Sequence, residues 1–331
     1  MHVVEARIRR RPWISWGLAC AGLAVWLSVE LASGAVARAQ GVRGGEGVRR
    51  MPGDAKSAPP ASSDASARRS LKLAPRKPVA KRDRGCPEEM QRVADFCVDR
   101  WEVRTETLNG EPLSPFYPPD FRILNKIRKV WMLERPRVGP ERARALPLPP
   151  LPVWQRQRFK VRAVSQPGVI PQGYMSYYMA KRACAAAGKR LCSDDEWQLA
   201  CEGQGKTKFP YGPDYVAGRC NVFREFHPAD VLHLDASSGH RDPRLNLVLE
   251  NGNDPGLRDT GATKSCVSEW SGGGIYDMVG NLDEWVEDPR GRFRGGFYSR
   301  NTRSGCEAKV ASHPAGYFDY STGARCCADP R

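Results

Sequence analysis

The 331-residue chain predicts an exported α+β domain, rich in loops and stapled by disulfides. Three observations lead to that class. A leader of export type precedes a region carrying ten cysteines. Two short helices can be read in residues 175–203, and beyond Phe209 glycine, proline, asparagine and short apolar runs replace regular structure.

The formal charge of +15 is unevenly distributed: residues 1–40 hold five Lys/Arg against two Asp/Glu, 41–85 twelve against four, and 86–331 thirty-five against thirty-one. A nucleic-acid-binding domain keeps its positive charge on a folded face, so the near balance of the larger part argues against one. "RIRRRP" (Arg7–Pro12) is a positive n-region, and Trp13–Val29 an apolar run. Small residues at Ala35-Val36-Ala37 or Ala37-Arg38-Ala39 then offer cleavage. Residues 1–39 therefore read as a signal peptide or, since the run is slightly long for one, as an N-terminal membrane anchor over 13–37. Gly17 stands where a lipoprotein signal has a branched aliphatic residue before its cysteine, so Cys20 is not read as lipidated. Residues 40–85 are rich in Gly, Pro, Ala, Ser and Arg and read as a disordered basic linker. It is either a solvated spacer or a segment touching an anionic surface such as a membrane or cell-wall polymer. Location is expected to be periplasmic or extracellular, with membrane contact through the leader and linker.

Beyond the leader, an even number of cysteines in an oxidising compartment points to disulfides. Zinc is disfavoured, because no C-x-x-C pair exists and Cys184-x7-Cys192-x8-Cys201 does not match structural zinc spacing. "FCVDRWEV" (Phe96–Val103) alternates as a strand, and Cys86 and Cys97 are near enough to close a small loop. Ser114–Pro152, interrupted by proline and rich in arginine, reads as a long irregular excursion rather than a second core. Ser176 caps a helix whose apolar face includes Met179, Ala183 and Ala187, stopped at Gly188. Ser193-Asp194-Asp195-Glu196 is a capping box for a second helix carrying Trp197 and Leu199. "YDMVGNLDEWVED" (Tyr276–Asp288) gathers five carboxylates in thirteen residues. It has three readings: a helix cap at Asn281-x-x-Glu284, a cation loop, or acid–base chemistry.

The segments "AKRACAAAGKRLCSDDEWQLACEG", "FPYG", "CNVF", "GGIYDMVGNLDEWVED", "FRGGFYS" and "GARCCAD", in that order, resemble the formylglycine-generating enzyme (sulfatase-modifying factor) family. That superfamily also contains iron-dependent sulfoxide synthases. The resemblance runs from about Cys86 to Asp329 and implies a single compact, loop-rich domain of the C-type-lectin-like class over 86–331. It implies structural calcium, a hard ion suited to mixed oxygen donors. The carried-over donors are Asp277, Gly280, Leu282 and Glu284, with a second site at Asn221 and Val222. It implies the disulfides Cys184–Cys326 and Cys201–Cys306. The other pairs, Cys86–Cys97, Cys220–Cys266 and Cys192–Cys327, are expected from proximity and elimination.

Family enzymes oxidise a cysteine in a sulfatase, using copper held by two thiolates just after the "GGS" turn. Here Arg300 stands at the first of those positions, the segment is shorter, and Cys306 matches the family's structural cysteine. Copper is accordingly not expected, and no catalytic residue is assigned. The His-x3-His-x-Glu string of the iron branch is absent; His227, His233, Asp230 and Asp235 form an alternative ligand set. The expected function is binding of a protein, peptide or glycan of the envelope, with no nucleic-acid partner. The alternative is a metal-dependent oxidoreductase of the same superfamily.

Overall fold

A computed structural model describes residues 5–6, 85–134, 137, 140–300 and 302–331. Apart from residues 5, 6 and 85, the expected signal segment and linker lie outside the described residues. Among the described residues no helix is long and apolar enough to cross a membrane.

The first strands are short because turn residues interrupt their alternation. Met90–Val93 (β1) and Phe96–Asp99 (β2) pair antiparallel across a turn at Ala94, whose φ is +48°. "FCVDRWEV" is not one strand. It breaks at Arg100, whose guanidinium reaches out to the carbonyls of Gly272 and Gly274, and resumes as Val103–Thr107 (β3). β3 pairs antiparallel with Val161–Ser165 (β4).

The excursion between them is not irregular. Phe121–Glu134 (α1) is a helix of 14 residues, followed by Glu141–Ala145 (α2) and a 3₁₀ turn at Val153–Arg156. The prolines behind the irregular reading lie outside α1, and Asp120 caps it by accepting from the amides of Arg122 and Ile123 at 3.1 and 3.2 Å. Leu124 and Trp131, two turns apart, are buried, so the segment adds to the core.

The two helices marked by sequence form as their caps require. Tyr177–Ala186 (α3) is capped by Ser176 and ends before Gly188 at φ +70°. Asp194–Glu202 (α4) carries the full Ser193/Glu196 capping box. Between them runs Arg190–Leu191 (β5). Downstream the elements are brief: Pro228–His233 (α5), Val267–Trp270 (β6), Gly273–Tyr276 (β7), Asp283–Trp285 (β8), Phe293–Arg294 (β9), Lys309–Val310 (β10), Thr322–Ala324 (β11) and Cys326–Ala328 (β12). One four-stranded sheet runs β1-β2-β12-β5, another β10-β9-β8-β11 with β8 and β11 parallel, and β6 pairs with β7.

Five disulfides hold this mixture of short pieces: Cys86–Cys97, Cys184–Cys326, Cys192–Cys327, Cys201–Cys306 and Cys220–Cys266. These are the pairs named from the sequence. Successive strand residues face opposite sides, so β12 sends Cys326 to α3 and Cys327 to the residue that follows β5. Cys326 lies in the apolar cluster built around Trp285 and Phe293, and Cys327 in the one around Trp197 and Ile275.

Loop closure sets the ranking of these bridges. Replacing both cysteines of the pair 142 residues apart, as C184A/C326A, is expected to cost about 5 kcal/mol in urea unfolding. Replacing the pair 11 residues apart, as C86A/C97A, should cost about 3 kcal/mol.

Candidate functional site

The loop from Tyr276 to Asp288 joins β7 to β8 and runs on past it. Asp277, Gly280 and Asn281 sit at φ values of +60°, +87° and +60°, a curl that aspartate, asparagine and glycine tolerate. Gly280 is required for a second reason, since a Cβ there would lie 2.2 Å from the Asn221 carbonyl oxygen. The residues after Asn281 enter the strand Asp283–Trp285 rather than a helix, which rules out the helix-cap reading of Asn281-x-x-Glu284. Its side chain donates to Glu102 at 2.5 Å, and the Leu282 amide donates to the other Glu102 oxygen at 3.0 Å. Trp285 is buried, its indole donating to the Met175 carbonyl at 2.7 Å.

Beneath the loop, three buried carboxylates, Glu102, Asp277 and Glu284, surround one buried guanidinium, that of Arg325. Arg325 donates to Glu284 at 2.8 and 3.1 Å, to the Asp99 carbonyl at 2.8 Å and to the Tyr276 carbonyl at 2.7 Å. Glu284 also accepts from the Trp197 indole at 2.7 Å. Asp277 accepts from the Gly261 amide at 2.6 Å. Burial, with Asp277 and Glu284 adding repulsion, pushes Glu102 well above the usual carboxylate range, and burial pushes Asp277 up to about 6. Three acids against one guanidinium leave a negative excess that protons or a further cation must offset.

The expected calcium donors divide on this geometry. Glu284 does not fit a calcium ligand, because both of its oxygens are committed to Arg325 and Trp197. Asn221 differs: its amide nitrogen donates to the Gly256 carbonyl at 2.8 Å and to Asn281 at 2.9 Å, leaving its Oδ1 buried without a partner.

The alternative ligand set does not converge. Among the described residues no group of three His, Cys, Asp or Glu side chains is arranged to hold a metal ion. His227 Nε2 lies 3.0 Å from the Tyr320 hydroxyl, and His233 Nε2 3.0 Å from Asp242. Asp235 caps the Ser237 amide at 2.8 Å, and Asp230 is exposed.

At the position where the resemblance puts the first copper thiolate, Arg300 pairs with Asp283 at 2.7 Å. The guanidinium lies over Phe297, 5.1 Å from its ring centre. Burial pushes the Asp283 carboxyl up to about 7 despite Arg300, and its Oδ2 has no partner. Asp319 stands nearby, accepting from Tyr317 at 2.5 Å and from the Ser321 amide at 2.9 Å. Cys306 is bonded to Cys201.

Sequence reasoning missed Glu102, Arg325 and Asp283 as members of these clusters. It also missed an open cleft of about 380 Å³ whose lining includes Glu202, Tyr211, Arg219, Lys264 and Glu269.

The sulfatase-modifying factor enzyme 1-like domain matches residues 79–330. The chain belongs to that family. Among solved structures it is similar to PvdO from Pseudomonas aeruginosa, at 15% identity over 74% of this chain and 90% of that one, TM-score 0.33. CarF is similar at 13% identity over 71% and 86%, TM-score 0.34. Treponema denticola variable protein 1 is similar at 11% identity over 74% and 100%, TM-score 0.31. No curated protein sequence matches.

The buried acids give stability a pH dependence of definite sign. Asp99 and Asp277, each pushed up to about 6 by burial, and Asp283, at about 7, keep in the folded state protons that the unfolded chain releases near pH 4. Through these groups the folded protein binds more protons than the unfolded chain between about pH 4 and 7, and their contribution to stability falls as pH rises through that window. The urea midpoint is expected to decline across it, and Asp277→Asn to decline less steeply.

Proposed function

We propose that this sulfatase-modifying-factor domain is exported and works by binding a protein, peptide or glycan of the envelope, not by copper-dependent oxidation. The observation that carries the reading is the pairing of Arg300 with buried Asp283 where the family's first thiolate is expected. A cation stands there in place of a soft sulfur donor for Cu(I). All ten cysteines of 86–331 are in disulfides, which supports an oxidising compartment and leaves that region no thiolate to offer a metal. Binding is supported by the loops: the cleft at Tyr211, Arg219 and Glu269 is polar, open and carried on a cross-linked scaffold.

A Cu(I) titration followed by native mass spectrometry, with a sulfatase-derived Cys-x-Pro-x-Arg peptide as substrate, tests this. The expected result is no bound copper and no aldehyde. Stoichiometric copper with aldehyde would refute the reading and favour the rival, a metal-dependent oxidoreductase of the superfamily.

Calcium belongs to the proposal as a structural ion at Asn221 and the Val222 carbonyl, on the strength of the orphaned Asn221 Oδ1. Millimolar calcium is then expected to raise the melting temperature by several degrees over chelator, by mass action on the folded state. An unchanged melting temperature would remove calcium from the reading.

A further inference from the structure

The charge of the folded part is concentrated in one place. Residues 121–162 hold twelve Lys/Arg and two Asp/Glu, whereas the rest of 86–331 holds twenty-three against twenty-nine. The cationic stretch comprises α1, α2, the 3₁₀ turn and the start of β4. It is attached to the body by Leu124 and Trp131, the Trp131 indole donating to the Arg241 carbonyl at 3.1 Å. The opposite face of α1, formed by Arg122, Lys126, Lys129 and Leu133, follows helical spacing and is exposed.

Beside that face runs a groove of about 320 Å³ lined by Arg128, Met132, Pro149, Leu151 and Arg156. Asn125 ties its two walls together, donating from α1 to the Arg156 carbonyl at 2.8 Å. Among the described residues, Lys126, Arg128, Lys129, Arg156 and Arg158 make no ion pair. Apolar side chains stand among these cations, with Met132 51%, Leu133 62% and Val153 71% exposed. Large apolar groups left in water next to unpaired cations describe an interfacial surface.

We propose that this face docks on an anionic phospholipid bilayer, its cations meeting headgroup phosphates while Met132, Leu133 and Val153 enter the interface. A soluble polyanion needs the cations alone; the adjoining apolar side chains favour lipid. This contact is separate from any made by residues 1–85, and it stands whether or not the domain oxidises a substrate.

Flotation of the full chain with phosphatidylcholine vesicles containing or lacking phosphatidylglycerol tests it. Binding is expected only with phosphatidylglycerol, and it should weaken as salt rises. Lys126→Gln with Lys129→Gln should lower the partition coefficient about thirtyfold. Met132→Ser with Leu133→Ser should lower it roughly tenfold. All four positions are exposed, and thermal melts will show whether the variants stay folded. Two results would overturn the proposal. One is wild-type flotation by both variants, which assigns lipid contact to the N-terminal residues. The other is loss in the lysine variant alone, with heparin competing away all binding, which makes the face a polyanion site.

Discussion

The geometry of the candidate site hangs on the buried guanidinium of Arg325. One planar fork satisfies the Glu284 carboxylate on β8 and the carbonyls at the ends of β2 and β7, so three elements far apart in sequence meet at one side chain. The Trp197 indole adds α4 through its bond to Glu284. Burying such a pair costs desolvation on both sides, and its clearer contribution is to fix a single arrangement. The curled loop from Asp277 to Leu282 is thereby anchored, and Glu102 holds its far end through Asn281 and the Leu282 amide.

Arg325 is followed directly by Cys326 and Cys327, and the three consecutive residues act on different parts of the molecule. Strand alternation turns the two sulfurs to opposite faces, where they cross-link to α3 and to the residue after β5. Asp99 completes the junction, accepting from the Cys326 amide at 3.1 Å and from Lys189 at 2.6 Å. The short elements therefore need little ladder of their own. Cross-links and buried ionic contacts do the holding that longer strands do elsewhere, and the surface loops are free to vary around them.

What could be read in advance was whatever is local in the chain. Ser176 and the Ser193–Glu196 box announce α3 and α4 because a cap lies within a few residues of what it caps. α1 is hidden by the prolines around it, Pro118 and Pro119 before its cap and Pro136 beyond Glu134, which mark the segment as broken while leaving the helix itself free of proline. The oxygen-rich loop was conspicuous, but its partners were not: Glu284 bonds Arg325 across 41 residues, and Asn281 bonds Glu102 across 179. The histidines mislead for the opposite reason. Near neighbours in sequence, they sit at the two ends of α5, so His227 turns to Tyr320 and His233 to Asp242.

Where the resemblance puts a copper thiolate, the proposed reading rests on charge as well as on the type of donor. Cuprous ion is positive, and a guanidinium at that position adds like charge where a thiolate would supply negative charge. Asp283 does not reverse the effect, because one of its oxygens is held by Arg300 and its burial favours the protonated form. On the proposed reading, a cysteine at position 300 would have to remove the cation as well as add the donor. Arg300 is also held in place by its stacking on Phe297 and by the buried carboxylate, so the corner is a built arrangement rather than a vacated one. A side chain fixed from both sides and one-third exposed is suited to meeting an acceptor on a partner, which is the part Arg300 would play in the proposed binding.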